Sequence, residues 1–397
     1  MKRIGTTMAA LTLALTVAVP IAAPSAEALG AGRPKLFAPT YMSKSGLYSR
    51  ADAVKIASHY DFVAANSKQL TADTIAAMRV ANPAVKIVVY LNGTFDLETV
   101  RSYPAGEYAR DATGSFIRSV KYDNWLMDPS QPTWGARVSQ LCTTLMAPGY
   151  DGCFVDMLGQ SLLNKSYLTG KPINPATGVE WTVPQWQRAA AMIGQKVQED
   201  HPGSLIIGNG LSHGQNYFAP SGPSSLLFTG LDYALAEVWL RQAQFSPTKY
   251  KAPTQWKQDV DILTDAGSQG KHASVTVKVW TTATAAQRES LHRYALASFL
   301  LGTNGGSYFS FTNGQTGTEF QANAGDPLDN IAVGTPMEAY RGLANGAYRR
   351  AYSNALVVVN PTTSTVTVPT PSCVTLDGRT VTSLTMTANT GEICRTA

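Results

Sequence analysis

Two acidic residues are prominent because each ends a short apolar stretch of the chain. Asp156 ends the stretch at residues 152–156, and Glu237 ends the stretch at residues 233–237. An acid in such a segment must be paired or must face a cleft, since burying an unpaired carboxylate is costly. Hydrolysis of a glycosidic bond needs two carboxyl groups, one to attack or to activate water and one to protonate the leaving oxygen. Both residues are therefore candidate catalytic residues, although an aspartate at position 156 also suits a helix cap.

Polar and aromatic residues end several other apolar stretches. Aromatic rings offer apolar faces on which a pyranose can stack, and amide or ammonium groups can hold its hydroxyls. The candidate substrate-binding residues are Tyr41, Tyr90, Asn92, Asp128, Asn209, Trp239, Lys278 and Tyr308.

Several of these candidates also have a purely structural interpretation. Tyr90 and Tyr308 equally fit the interior of a barrel, and Trp239 fits a hydrophobic core. Asp128 precedes a proline, and Asp-Pro is a turn-forming pair. Lys278 lies in an apolar stretch, so its side chain either pairs with an acid or points to solvent.

The elements that must position these side chains are predicted from hydrophobic periodicity, because short apolar runs alternate with longer amphipathic ones. Strands are predicted at 35–41, 61–65, 85–91, 152–156, 205–209, 233–237, 275–280 and 306–311. Helices are predicted at 49–59, 71–82, 131–146, 183–200, 253–266 and 285–301. Eight such units predict an α/β fold, a (β/α)8 TIM barrel over residues 29–340, in which the carboxyl ends of the strands share one face.

The end of the chain differs from the barrel region in composition. From residue 341 to 397 it is rich in valine, threonine and serine with proline breaks, which predicts a small all-β domain, a sandwich.

Residues 1–28 have a basic start, an apolar run and small residues at the end, which is typical of a signal peptide. We therefore expect a secreted protein without integral membrane association. The connections at 92–122 and 160–182 are long and should wall the cleft.

Charge and cysteine content limit the classes of partner. The formal net charge of +5 comes from dispersed basic residues, which does not indicate nucleic-acid binding. The four cysteines of an exported chain form two local pairs, so disulfides are predicted for Cys142 with Cys153 and for Cys373 with Cys394. The five histidines are scattered without metal-ligand spacing, and no glycine-rich nucleotide turn follows the first strand. We expect no catalytic metal and no cofactor.

The run at 152–156, the preceding 125–129 and the following 236–239 together resemble the hypothetical glycosyl hydrolase family 15. More distantly they are similar to the endo-α-1,4-polygalactosaminidase group, in which an aspartate ending the fourth strand is the nucleophile and a later glutamate is the acid/base. The resemblance spans about residues 35–311 and implies these roles for Asp156 and Glu237.

The predicted function is hydrolysis of an extracellular or cell-wall polysaccharide with retention of configuration. Retention requires carboxyl groups about 5 to 5.5 Å apart, whereas inversion requires roughly 6.5 to 9.5 Å. As the acid, Glu237 is expected to have a raised pKa. Two alternatives stay open: a non-catalytic carbohydrate-binding or cell-wall protein on the same scaffold, and a transglycosylase that uses the same carboxylates.

Overall fold

A computed structural model describes most of the chain after the predicted signal peptide. The described residues are 32–43, 46–159, 162–163, 166–312, 319–324 and 326–396. The predicted signal peptide, residues 1–28, lies outside them. No helix in this described part of the chain is long and apolar enough to cross a membrane.

Eight parallel strands form a closed barrel, which confirms the predicted (β/α)8 fold. They pair in chain order, and a hydrogen bond of 2.9 Å from the Phe309 amide to the Lys35 carbonyl joins the last strand to the first. The strands are β1 (Phe37–Ala38), β2 (Phe62–Ala65), β3 (Lys86–Asn92), β4 (Gly152–Asp156), β5 (Leu205–Asn209), β6 (Tyr233–Ala236), β7 (His272–Lys278) and β8 (Phe309–Thr312).

Helices cover the outer face of the barrel. They are α1 (Arg50–Ala57), α2 (Ala72–Ala81), α3 (Pro132–Met146), α4 (Val183–Asp200), α5 (Gly214–Tyr217), α6 (Pro253–Ser268), α7 (Ala285–Gly302) and α8 (Glu319–Asn323). Thr71, Thr182 and Thr284 each start a helix with a capping box, in which two otherwise unpaired backbone amides are satisfied reciprocally. The positions at which these three helices begin are therefore determined by neighbouring residues in the sequence. The short helices α5 and α8 were not predicted, because four or five residues carry little periodicity.

The barrel interior is apolar at its centre. Phe37, Phe62 and Phe154 belong to one buried cluster there, and the rings of Phe37 and Phe62 stack at 4.6 Å. Along each strand alternate side chains point inward, so the residue two positions after an interior apolar residue also faces the interior, nearer the carboxyl end. Asp156 stands in this relation to Phe154, and the apolar centre forms the floor beneath it.

The two long connections form a wall beside the ends of β3 and β4. Strands 118–119 and 124–126 of the first connection pair with each other, and the backbone of Val120 donates to the Tyr167 carbonyl at 2.9 Å. Tyr167 belongs to the second connection. The predicted disulfide between Cys142 and Cys153 is present and ties α3 to the strand that carries Asp156.

The C-terminal all-β domain is confirmed, and its second disulfide joins Cys373 to Cys394 as predicted. Hydrogen bonds join its six strands in the antiparallel order β9-β10-β11-β14-β12-β13. The strands are β9 (Arg341–Gly342), β10 (Tyr348–Ala351), β11 (Ala355–Asn360), β12 (Val366–Val374), β13 (Thr380–Met386) and β14 (Thr390–Thr396).

This sheet packs directly on α7 of the barrel. A Cβ atom at Gly391 would lie 2.7 Å from the Ala297 Cβ, so only glycine permits this approach. The Arg350 guanidinium donates to three carbonyls at the end of α7, at 2.8 to 3.1 Å. A cation there satisfies carbonyls that have no partner within the helix. The domain is therefore held by both packing and charge.

Candidate active site

Asp156 lies at the carboxyl end of β4 and accepts three hydrogen bonds. The donors are the Tyr90 hydroxyl at 2.7 Å, the Asn209 side-chain amide at 2.8 Å and the Met157 backbone amide at 2.7 Å. Tyr90 and Asn209 come from β3 and β5, the two strands that flank β4. The carboxylate is thus oriented from both sides, as a group with a defined direction of attack requires.

Glu237 follows directly after β6 and lies beside Asp156. The Asn209 amide nitrogen donates to Glu237 Oε2 at 3.0 Å, and Lys278 Nζ lies 3.0 Å from Oε1. Because one nitrogen bonds an oxygen of each acid, the two oxygens are at most 5.8 Å apart. The inward lysine therefore pairs with an acid, which is one of the two interpretations that its sequence position allowed.

The electrostatics of the pair depend on burial. Burial, followed by the negative charge of Glu237, raises the pKa of Asp156 to about 6, while its three hydrogen bonds act in the opposite direction. The pKa of Asp156 is thus raised in the structure, and the expected raised pKa of Glu237 stays a prediction.

Tyr41 lies against the same pair. Its ring stacks on Tyr90 at 4.9 Å and packs on Phe154 at 4.6 Å, and its buried hydroxyl makes no hydrogen bond with any described residue. Burial, then the charges of Glu237 and Asp156, raise the pKa of the Tyr41 hydroxyl well above its ordinary value. The hydroxyl thus stays protonated and is available to donate towards a bound ligand.

The structure brings five of the eight candidate binding residues to the two acids and separates the other three. Asn92 is close, with its amide nitrogen 3.4 Å from the Tyr90 hydroxyl, and it also orders the turn after β3. Trp239 is fully buried and donates to a carbonyl of α6, so it is a core residue. Tyr308 packs on Phe62 on the apolar floor, 5.2 Å between ring centroids. These two positions correct the prediction.

Asp128 is the third candidate that the structure separates from the acids. Its carboxylate accepts from the hydroxyl of Ser130 at 2.7 Å and from the side-chain amide of Gln131 at 3.0 Å. Both partners follow it directly in the chain and lead into α3. Asp128 therefore forms the turn that the Asp-Pro pair also indicated.

Comparison with known proteins decides the family. The model described as hypothetical glycosyl hydrolase family 15 matches residues 79–356, which is more than half of the chain. The chain belongs to hypothetical glycosyl hydrolase family 15. It is accordingly a glycoside hydrolase, and no curated protein matches it.

Several solved structures are similar to this family 15 chain at low identity. A maltogenic α-amylase, AmyB from Thermotoga neapolitana, has a TM-score of 0.52 and 10% identity, with 91% of this chain and 96% of that chain covered. The glycoside hydrolase domain of PelA from Pseudomonas aeruginosa has a TM-score of 0.42 and 14% identity, covering 70% and 94%. Ega3 from Aspergillus fumigatus, in complex with galactosamine, has a TM-score of 0.43 and 10% identity, covering 72% and 94%.

Two residues that line or support this candidate site were not among the predicted site residues. Trp280 lies two positions beyond Lys278, is 44% exposed, and has its ring centroid 4.9 Å from Lys278 Nζ. Its position at the end of a predicted strand could have indicated it. Asp259 of α6 accepts from the backbone amides of Gly214 and Leu240 at 2.7 and 3.0 Å. It thereby holds the loops after β5 and β6, and no local pattern indicates this role.

Three residues with strained backbone conformations lie just beyond the carboxyl ends of β4, β5 and β6. Met157, Ser212 and Leu240 have φ angles of 63°, 63° and 59°, and each follows a strand that leads to Asp156, Asn209 or Glu237. Left-handed conformations cost non-glycine residues roughly 1 kcal/mol or more and cluster at functional sites. The strain lies where the loops leave the barrel and turn around the two acids.

A column of hydroxyl groups lines the interior along β7 and β8. Ser274 and Thr276 precede Lys278 at the inward positions of β7, and Ser310 and Thr312 face them from β8. All four side chains are buried, and their oxygens make no hydrogen bond with any residue in the described ranges. Buried hydroxyls require hydrogen-bond partners, so this column of hydroxyl groups suits water or the hydroxyls of a ligand.

Proposed function

We propose that the protein is a secreted hydrolase that cleaves an extracellular or cell-wall polysaccharide with retention of configuration. The observation that carries the proposal is the Asn209 amide nitrogen, which bonds one oxygen of each acid, so that these two oxygens are at most 5.8 Å apart. This limit on one oxygen of each acid supports the close spacing of about 5 to 5.5 Å that retention uses.

In the first step a carboxylate oxygen of Asp156 forms a bond to the anomeric carbon. The bond to the leaving oxygen breaks, and that oxygen takes the proton of Glu237. The three hydrogen bonds to Asp156 hold the nucleophile in position. Lys278 then stabilises the Glu237 carboxylate that proton donation creates, because its ammonium lies 3.0 Å away.

In the second step Glu237 takes a proton from water, whose oxygen bonds to the anomeric carbon and displaces Asp156. Glu237 thus changes from acid to base, and Lys278 favours the carboxylate that serves as the base. Two displacements at one carbon restore the original configuration. At the end of the second step Glu237 is protonated again and Asp156 is again a free carboxylate.

A polysaccharide substrate is supported by the shape and lining of the site. The exposed ring of Trp280 offers a platform on which a sugar ring can stack, next to the Lys278 ammonium. Tyr167 lies in the second long connection. Burial, then Tyr122 and the negative charge of Asp156, raise the pKa of Tyr167 to about 12. Tyr167 is therefore within electrostatic range of Asp156. Secretion is supported by the N-terminal pattern and by two disulfides, which persist in oxidising compartments.

The first test measures reducing-sugar release from a panel of bacterial and fungal wall polysaccharides, including galactosamine-containing polymers. Wild type is compared with Asp156→Asn and with Asp232→Asn, which removes an exposed carboxylate that pairs with Lys271. We expect release by wild type and Asp232→Asn and none by Asp156→Asn. Binding without release by all three would instead favour a carbohydrate-binding protein.

Azide rescue tests the two roles separately. With an activated aryl glycoside, azide should replace the missing nucleophile of Asp156→Ala and yield a glycosyl azide of inverted configuration. In Glu237→Ala, azide should attack the glycosyl-enzyme and yield the retained configuration. Proton NMR of the anomeric signal distinguishes the products. The retained product from Asp156→Ala together with the inverted product from Glu237→Ala would show that the two roles are exchanged.

A further inference from the structure

Arg241 is a buried cation in the connection between β6 and α6, a few residues beyond Glu237. The residue is only 3% exposed. Its Nη2 donates to the carbonyls of Phe245 and Ser246 at 2.6 and 3.4 Å. The other two nitrogens, Nε and Nη1, are buried and make no hydrogen bond with any described residue. The N–H groups on two nitrogens of a permanently charged guanidinium therefore lack an acceptor.

Other arginines of the described chain with a buried Nε that lacks a hydrogen bond each pair with an acid. These pairs are Arg33 with Asp61, Arg118 with Asp123 and Arg349 with Glu338. Arg241 has no acid among the groups that act on it within the described residues. The internal segments outside the described ranges contain no aspartate or glutamate. Arg241 therefore differs from these arginines in lacking a carboxylate partner.

A small cavity of about 10 Å³ lies beside Arg241. Val277 of β7 and both Leu291 and Tyr294 of α7 line it, so it lies outside the barrel wall and away from the two acids. Lys249 lines it as well and supplies a second positive charge. The described lining includes no carboxylate. The surroundings of the cavity are thus positively charged.

The charge of Arg241 is not balanced by its described neighbours. Burial lowers the pKa of the guanidinium, and Tyr250 is the described group whose charge acts in the opposite direction. Burial raises the pKa of Tyr250 and raises the pKa of Tyr294 well above its ordinary value, so both phenols are uncharged at neutral pH. Asp259, which adds to the raised pKa of Tyr294, already pairs with Lys251 at 2.6 Å. A buried cation without a counter-charge is costly, so the cavity favours an anion.

We propose that this cavity binds one chloride ion, with Arg241 as its principal ligand. A volume of about 10 Å³ is close to the space that a single water molecule needs. Phosphate, sulfate and carboxylates are therefore too large, whereas a halide ion is only slightly larger than water. Water would fill the same space and accept from the guanidinium, but it brings no charge. Chloride both accepts from the N–H groups and balances the buried cation.

The arginine joins the loop after β6 to the end of β7. The Phe245 carbonyl that accepts from Arg241 also accepts from the Thr281 hydroxyl at 2.9 Å. The Trp280 backbone amide donates to the Ala243 carbonyl at 2.9 Å. An anion bound only by the folded chain stabilises it by mass action, so at a hundredfold excess over Kd the ratio of folded to unfolded protein rises about a hundredfold. The expected effect is on stability, and it does not depend on the proposed reaction.

The first experiment follows thermal unfolding of the full mature protein in sodium gluconate. Gluconate is then replaced stepwise by chloride or bromide at constant ionic strength, because gluconate is too large for the cavity. We expect Tm to rise with the logarithm of the chloride or bromide concentration once it exceeds Kd.

Two matched variants separate this site from a general effect of salt. Arg241→Gln removes the buried charge and should abolish the rise in Tm. Arg188→Gln removes an exposed arginine of α4 and should respond to chloride like wild type. Equal responses in wild type and Arg241→Gln would show a general salt effect and would overturn the proposal.

Crystals of wild type grown in sodium bromide test the site directly, even if Arg241→Gln does not fold. We expect an anomalous bromide peak within hydrogen-bonding distance of Arg241 Nε or Nη1. Density for water without an anomalous peak at this position would refute chloride binding, and Arg241 would then be a buried cation hydrated by one water molecule.

Discussion

Replacing Asp156 by asparagine is expected to abolish turnover and also to stabilise the folded protein at neutral pH. Burial and the charge of Glu237 raise the pKa of the Asp156 carboxyl from 3.8 to about 6 in the folded state. In the unfolded chain the carboxyl has its ordinary pKa. A difference of roughly 2 units corresponds to about 3 kcal/mol, since each unit is worth about 1.4 kcal/mol.

The sign follows from which state binds the proton more tightly. Because the folded-state pKa is the higher one, the stabilisation by the Asp156 proton is complete below about pH 4 and is lost as the pH rises through 6. Above pH 6 the buried charge therefore destabilises wild type, and asparagine carries no charge. About 3 kcal/mol is an upper limit, because Asp156 stays partly exposed. Asparagine also cannot keep all three accepted hydrogen bonds, so we expect a gain of roughly 1 to 2 kcal/mol.

Urea unfolding of wild type and Asp156→Asn at pH 8 and at pH 4 measures this difference. Asp156→Asn should be the more stable protein at pH 8, and the advantage should vanish or reverse at pH 4. Asp232→Asn is the control, because it loses an exposed carboxylate that pairs with Lys271. If Asp156→Asn were less stable than wild type by the same amount at both pH values, Asp156 would be a structural carboxylate and the reasoning would be refuted.

Three further predictions concern the same site and its support. Because Asp156 must be ionised to attack, kcat/KM should fall as the pH drops below about 6. With an aryl glycoside as substrate, Glu237→Gln should shift this acidic limb of the pH profile to lower pH, because the charge of Glu237 helps to raise the pKa of Asp156. An acidic limb that does not move would contradict this interaction between the two acids. Lys278→Met should lower kcat at least about tenfold, since Glu237 loses its cation, and a kcat within twofold of wild type would argue against that role. Removing the Cys142–Cys153 disulfide with two alanines should cost about 3 kcal/mol of unfolding free energy for an 11-residue separation, and equal urea midpoints would disprove it.

The barrel was predictable because its strands and helices carry local patterns. Apolar runs of strand length and capping threonines such as Thr71 are visible without any knowledge of distant contacts. Glu237 and Asp156 could be identified for a related reason: each is an acid that interrupts an apolar run, and such a residue must face a partner or a cleft.

Residues that act through long-range contacts were harder to identify. Trp239 was placed at the site because it follows Glu237, yet the chain turns after Ala236 and directs the indole onto α6. Asp259 holds two loops of the site from a helix in which it resembles any other surface acid. A hydrogen bond between distant segments leaves no periodic trace in the sequence.

The sequence by itself determined the eight-unit barrel, the all-β ending, the paired cysteines and the two acids, because hydrophobic periodicity and residue chemistry act over a few neighbouring positions. The tertiary structure alone decided that one amide, Asn209, bridges both acids and that Lys278 pairs with Glu237. It also decided that His59 and Asp329, 270 residues apart, meet outside the barrel wall. Closing a barrel brings such positions together, and sequence separation carries no information about that closure.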